Sequence, residues 1–400
     1  MSAVLHNSAA MRSVSVFTDL GRLALPLCIA QLASIGIMTA DVVMMGRLST
    51  LDLAAGSLAV RLYQPFYFFS LGLLSVISAL VAQSLGADQP EIARRVFRQG
   101  LILSSGLGLV FMLPVLAGDQ LMLMFGQSED IAALAADYLF WSAFGLPASL
   151  VFLTMRFFTM GHGRAGPQLL ATFAGLAFNL VANPVLAHGY GPLPALGLGG
   201  IALATTLTYL VMCFCLGLMI GLRAPFAQTQ PYRRWWVIDL SLMKKIGQVG
   251  WPNGFLVMSE TGMFAVAAFL IGLFVAAPLA AAGIANQIAA MAFMIPLSIA
   301  QACVIRVGRS AGAENLAGVK HYGNGGIWLG CLIVVPLTLG IWIFAEQLGF
   351  WFIQPDDRLS AQTIALIIPM LWITALFQLG DSLQAIITAS LRGLNDTRVP

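Results

Sequence analysis

The chain has 400 residues, 59% hydrophobic and only 9% charged, whereas a soluble domain carries about a quarter charged residues, so a soluble domain is excluded. A net charge of +3, with lysine only at Lys244, Lys245 and Lys320, leaves no basic stripe and excludes a nucleic-acid binder. Cys28, Cys213, Cys215, Cys303 and Cys331 all lie in apolar runs without a CxxC pair, which excludes a disulfide scaffold.

The chain reads instead as an all-α polytopic membrane protein. A helix needs about 20 apolar residues to cross a bilayer core, and ten stretches qualify: 23–45, 62–84, 100–118, 131–156, 167–188, 196–222, 246–272, 279–304, 325–346 and 361–391. Each is twice the length of a barrel strand and apolar on all sides. The first 22 residues have no apolar h-region, so the first span is expected to act as an uncleaved signal anchor.

Lysine and arginine are retained on the cytoplasmic side. With the N-terminus inside, the inner segments hold Arg12 and Arg22; Arg94, Arg95 and Arg98; Arg156 and Arg164; Arg223, Arg233, Arg234, Lys244 and Lys245; Arg306, Arg309 and Lys320; Arg392 and Arg398. Outside remain only Arg47, Arg61 and Arg358. The alternation predicts a cytoplasmic N-terminus and supports the span count.

The chain also repeats itself. An offset of 226 carries Pro26 to Pro252, Gly46 to Gly272, Leu53 to Leu279, Gly86 to Gly312 and Gly100 to Gly326. Shared glycines and prolines mark shared turns and kinks. Six helices precede the second copy, so the halves are predicted to be parallel repeats about an axis along the membrane normal. The expected organisation is an N-terminal lobe over 1–222, a cytoplasmic linker over 223–245 with Trp235 and Trp236 at the interface, and a C-terminal lobe over 246–400. The second copy yields four helices, with Pro400 where the first copy has Pro167 at the start of its fifth helix. An intact relative is therefore expected to run on for about 50 residues and two more spans, completing twelve.

A carboxylate at a helix centre costs about 2.5–3.5 kcal/mol to insert. Asp41 on the first span, Glu260 on the seventh and Asp381 on the tenth carry that cost. Under the repeat, Asp41 corresponds to Ala267 and Glu260 to Ser34, so the duplicated fold does not itself require these acids. Asn179 and Asn183 share a face of the fifth helix, and Asn183 lies at roughly the depth of Asp41. Gln378, Asp381 and Gln384 step along one face of the tenth helix, Asn253 and Glu260 along one of the seventh, and Asn286 and Gln287 open the eighth. Such amides serve either as ligands or as interhelical hydrogen bonders.

These residues resemble the MATE multidrug and toxin extrusion transporters, and among them the bacterial NorM branch. The likeness rests on LPLCIAQLASIGIMTADVVMMGRLS, GWPNGFLVMSETGMF and FQLGDSLQAIITASLRGLNDTRVP. It implies an antiporter of two six-helix lobes with a central cleft open alternately to each side. It also implies a C-terminal cation site at Glu260 and Asp381, and an N-terminal site at Asp41 with Asn179 and Asn183. Na+ or H+ would be the coupling ion, with no cofactor and no structural metal. The partners expected are small-molecule cationic drugs and the lipid bilayer, and the chain is expected to be monomeric. Phe66, Phe68, Phe69, Met291, Phe293 and Met294 are either walls for flat lipophilic cations or plain core.

Three other readings compete. An ATP-driven pump lacks its phosphate loop, since no GxxxxGK[ST] occurs. A hydrolase would use Gly308-Arg309-Ser310-Ala311-Gly312 with His321, but GxSxG needs a strand–turn–helix elbow and this stretch is predicted to be an inner loop. A lipid-linked oligosaccharide flippase would place cations where this chain has acids, with Arg61 the one plausible intramembrane cation.

Overall fold

The computed structural model describes residues 2–124, 126–190, 194–233, 236–272, 276–352 and 358–396, with side chains described for these except 2–14, 264–280 and 351–364. Among these residues the chain is helical throughout: α1 (Ser2–Leu48), α2 (Thr50–Gly86), α3 (Pro90–Leu116), α4 (Gly118–Met124), α5 (Glu129–Gly161), α6 (Gly166–His188), α7 (Gly197–Leu222), α8 (Leu240–Gly272), α9 (Ala276–Gly312), α10 (Leu316–Ile343), α11 (Ala345–Phe352) and α12 (Arg358–Gly393). Hydrocarbon offers no partner to a backbone amide, so a spanning segment must satisfy its own, and the helix does so. Nine of the described helices are long and apolar enough to cross a membrane. The remaining predicted span, the seventh (246–272), falls in α8, and its side chains beyond 263 lie outside the described set, as do those of Ala267, Leu279, Trp235, Arg12, Arg234, Arg358, Arg398 and Pro400. The chain is a multi-pass membrane protein. Leu113, Val181, Phe214 and Leu332 are exposed along these spans, which suits lipid and would be a liability in water.

The 226-residue offset holds in the backbone. α2 and α9 have bounds that differ by 226 at both ends, and α3 and α10 start 226 apart. The turns between them match as well. Asp88 (φ 56°) and Glu314 (φ 54°) both adopt the left-handed conformation. Gln89 N–H donates to Ser84 O at 2.8 Å, and Asn315 N–H to Ser310 O at 2.9 Å. Each closes its helix by satisfying a carbonyl in the last turn. The short helices α4 and α11, absent from the sequence reading, correspond under the repeat to within a residue or two.

The chain forms two compact units, one of Met1–Cys28 with Ser259–Pro400 and the other of Ile29–Met258. Helices α1 and α8 therefore each contribute to both. In the second unit α5 packs on α2, α3 and α7, and α6 packs on α7. The start of α8 lies so close to α2 that a Cβ on Gly72 would sit 2.5 Å from Asn253 O, and one on Gly250 would sit 2.4 Å from Leu73 O. Small residues allow such backbone approach between membrane helices. In the first unit α9 packs on α12 around Ala281, Ala285, Ile288, Ile367, Leu371 and Ala375.

Helices α5 and α12 run past the predicted span ends and include Arg156 and Arg392. One placement corrects the sequence reading. The Gly308–Gly312 stretch is the last turn of α9, not a loop. No strand precedes it, so the elbow that GxSxG chemistry needs is not built.

Candidate functional site

In the Ile29–Met258 unit, three helices converge on one carboxylate. Asp41 sits two turns before the end of α1, and α6 presents Asn179 and Asn183 from successive turns. Asn183 Nδ2 donates to Asp41 Oδ1 at 2.7 Å, and Asn179 Nδ2 donates to the same oxygen at 3.2 Å. The hydroxyl of Thr205, on α7, donates to Asp41 Oδ2 at 2.7 Å. The amides are cross-linked, since Asn183 Nδ2 also donates to Asn179 Oδ1 at 3.2 Å. Asp41 is 7% exposed and both asparagines are buried. Among the described residues no lysine, arginine or histidine forms an ion pair with Asp41. One further acceptor, Asn183 Oδ1, is buried there without a hydrogen-bond partner.

The arrangement is a desolvated negative charge held by three neutral donors. Its charge is stabilised in direction but not cancelled, and a buried carboxylate left so is expensive. A proton or a small hard cation would complete it. Asp41 and Asn183 supply oxygens of the kind Na+ takes, because hard cations prefer oxygen ligands.

The same unit holds other polar groups within its helices. Arg156, on α5, donates from Nη2 to Gln31 Oε1 at 2.9 Å. Tyr63 and Tyr67 stack with ring centroids 6.2 Å apart. Tyr63 Oη lies 3.4 Å from Ser149 Oγ, and Tyr67 is in hydrogen-bonding reach of Tyr209. Asn253 also belongs to this unit and is committed to α2: its Nδ2 donates to Gly72 O at 2.6 Å and to Ser75 Oγ at 2.8 Å. Phe66 packs tilted against Phe111, and Phe69 meets Phe111 and Phe255 edge-to-face, so both contribute to helix packing.

The other two acids lie in the Ser259–Pro400 unit. Glu260 interacts electrostatically with Arg392, of opposite charge, and with Asp381, of like charge. Asp381 is half-buried on α12, between the buried Gln378 and the exposed Gln384. Gln378 is 4% exposed, and neither its Nε2 nor its Oε1 has a hydrogen-bond partner; the buried hydroxyl of Ser382, one turn on, has none either. Asn286 and Gln287 are exposed on α9.

The structure thus brings Asp41, Asn179 and Asn183 together in one unit and Glu260, Gln378 and Asp381 together in the other, while Asn253 has different neighbours from Glu260. Sequence reasoning missed Thr205, Arg156, Gln31 and Arg392. Thr205 stands in ATTLTYL beside Thr206 and Thr208, and nothing in that run marks which hydroxyl leaves its own helix. Thr208 donates to Ala204 O, one turn back.

Comparison with known proteins follows the same lines. The MatE family model matches residues 26–185 and again 252–400. The two matches begin 226 residues apart, the offset of the repeat. The chain is 36% identical to a probable multidrug resistance protein NorM of Bradyrhizobium diazoefficiens, over 96% of this chain and 82% of that protein. It is 34% identical to a protein of the same name from Pseudomonas putida, over 94% and 82%. Among solved structures it superposes on the eukaryotic MATE transporter AtDTX14 with a TM-score of 0.85 at 18% identity, covering 97% of this chain and 85% of that one.

Proposed function

Since this chain belongs to the MATE family, whose members are transporters rather than enzymes, we propose that it is a secondary active multidrug efflux transporter. It exports lipophilic cationic compounds in exchange for Na+ or H+, from a bacterial inner membrane in which its N-terminus is cytoplasmic. The observation that carries this reading is Asp41, buried and triply hydrogen-bonded, with no cationic side chain among the described residues paired to it. A carboxylate in that setting is neutralised by a proton, a sodium ion or a cationic solute. Two of these cannot occupy it together, and that competition is the elementary step of an exchanger. Glu260, which is exposed, and Asp381, half-buried with Gln378 one turn before it, form a second cation-binding group on a different ground: a cation between two like charges would relieve their repulsion.

The test is export of a fluorescent lipophilic cation by the purified chain in proteoliposomes, under an imposed Na+ or H+ gradient. Asp41→Asn is expected to reduce gradient-driven export to background with insertion unchanged, and Glu260→Gln with Asp381→Asn to do the same. Unaltered export by these neutral variants would remove the acids from the mechanism. Single-cysteine labelling in the Asp88–Gln89 turn, expected to be accessible only from the cytoplasmic face, checks the orientation.

A second reading, flipping of a lipid-linked oligosaccharide, gains one observation. Arg156 is buried on α5, where it donates to Gln31 Oε1, and is a second candidate intramembrane cation besides Arg61. That reading requires movement of a fluorescent pyrophosphate-linked isoprenoid between leaflets, and requires that Arg156→Gln abolish it.

A further inference from the structure

In the Ile29–Met258 unit, an apolar groove of about 370 Å³ runs along the end of α7 beside the linker that follows it. Its floor is Gly217 and Gly221, one turn apart, and its walls are Phe214, Leu218, Leu222 and Tyr232. The tyrosine is fixed in place: its hydroxyl donates to Gly217 O at 2.9 Å. A Cβ on Gly221 would lie 3.3 Å from the Tyr232 ring, so the glycines are what let the ring lie along the helix. From Cys213 to Leu222 the groove follows ten residues, about 14 Å for the nine rises of 1.5 Å between them. That is close to half of the roughly 30 Å hydrocarbon core, the depth of one leaflet. The groove opens among exposed Phe214, Leu218 and Leu222, on a surface suited to lipid rather than water.

Charge marks one end of it. Arg223 directly follows Leu222, and Arg233 directly follows Tyr232; both are exposed. No carboxylate occurs in the sequence between Asp137 and Asp239, and Arg233 Nη1 donates to the neutral Gln230 Oε1 at 2.9 Å. Beyond Arg233 the linker exposes Trp236, of a residue type that settles at a membrane–water interface, together with the apolar Ile238 and Leu240. An apolar slot one leaflet deep, with two arginines at headgroup level, is complementary to one kind of molecule.

We propose that this groove seats an acyl chain of an anionic phospholipid whose headgroup phosphate is held by Arg223 and Arg233. Basic residues at the membrane surface attract anionic lipid, each by about fivefold in affinity. Native mass spectrometry of the purified full-length chain, offered equal amounts of dioleoyl-phosphatidylglycerol and dioleoyl-phosphatidylcholine, reads the preference directly. Wild type is expected to retain phosphatidylglycerol selectively. Arg223→Gln is expected to reduce that selectivity about fivefold, and the double change with Arg233→Gln about twenty-five-fold. Leu218→Trp, which fills the slot, is expected to abolish retention of both lipids, while Arg47→Gln at the end of α1 leaves it unchanged. Equal retention of the two lipids by wild type, or selectivity that survives the double arginine change, would mean annular lipid only and would overturn the proposal. Should Leu218→Trp not purify as a monodisperse protein, Phe214→Ala opens the slot from its exposed side, and unchanged retention in that variant counts against the seat.

Discussion

Asp41 illustrates how partners on other helices define the setting of a single buried side chain. Two amides and a hydroxyl from two other helices aim donors at its oxygens. Hydrogen bonds to a charged group contribute about 1.5–3 kcal/mol each, so losing one is expected to matter. Thr205→Val, nearly isosteric, is predicted to lower gradient-driven export by about tenfold or more. Thr208→Val removes a hydroxyl that bonds only within α7 and is predicted to leave initial export rates unchanged. Equal rates in both variants would show that Thr205 holds nothing the exchange uses. Arg156 poses the complementary problem of a buried cation. Its Nη2 rests on Gln31, and Gln31→Leu is predicted to destabilise the fold by about 2 kcal/mol, seen as a lower melting temperature in detergent. The three acids could be picked out in the sequence because a carboxylate in an apolar run is anomalous by composition. Thr205 and Gln31 could not, because neutral polar residues are ordinary in membrane helices and their partners are more than a hundred residues away.

At the scale of helices, duplication is the organising fact. Turns at Asp88 and Glu314 repeat the same left-handed residue and the same closing hydrogen bonds. Neither is glycine, and a left-handed L-residue costs about 1–2 kcal/mol. Asp88→Gly and Glu314→Gly are therefore each predicted to raise thermal stability by about 1 kcal/mol while leaving export unchanged; a lowered melting temperature would show that these side chains hold the turns by other means. The α2–α8 contact is predicted to respond in the opposite direction. A methyl at Gly72 would meet backbone atoms of Asn253 and Gly254, which cannot swing aside. Gly72→Ala is expected to cost about 1–3 kcal/mol and to disturb the Asn253 amide that donates to Gly72 O. The repeat itself was legible because glycine and proline leave a mark on sequence wherever a turn or kink recurs. The short helices α4 and α11 were not, since seven or eight residues are too few for a periodic signal.

For the whole molecule, the linker is a built element rather than a loose tether. Gln99 donates from Nε2 to Val237 O at 2.9 Å and accepts from Asp239 N–H at 3.1 Å. Arg98 Nη1 donates to Arg233 O at 2.8 Å, and Arg95 pairs with Asp239. The Asp239 carboxyl is pushed down to about 2 by the Ser241 hydroxyl, with Arg95 and the Leu242 N–H adding to it. A depressed carboxyl contributes stability above its unfolded value, near 3.9, and loses it as the pH falls through the folded value. Hydrogen exchange of the linker amides is therefore predicted to show no loss of protection attributable to this carboxyl from pH 8 to 5. Asp239→Asn is predicted to speed exchange around Leu242 throughout that range. Unchanged exchange in this variant would show that the carboxylate does not secure the linker.

The sequence by itself determined that this is a membrane protein of long apolar helices, that its halves are copies, and which acids stand in its apolar runs. Those properties are written in composition and spacing, which a one-dimensional string carries in full; the resemblance to MATE transporters rests on three particular segments. Only the tertiary structure decided that α1 and α8 are each shared between two compact units, that Thr205 completes the Asp41 group, and that Asn253 binds α2 while Glu260 interacts with Arg392. It also decided that Arg156 and Arg392 lie within helices. Each of these depends on the rotation and depth of one helix against another. That is fixed by close contacts between small residues and by a few directional hydrogen bonds, and neither leaves a period in the sequence.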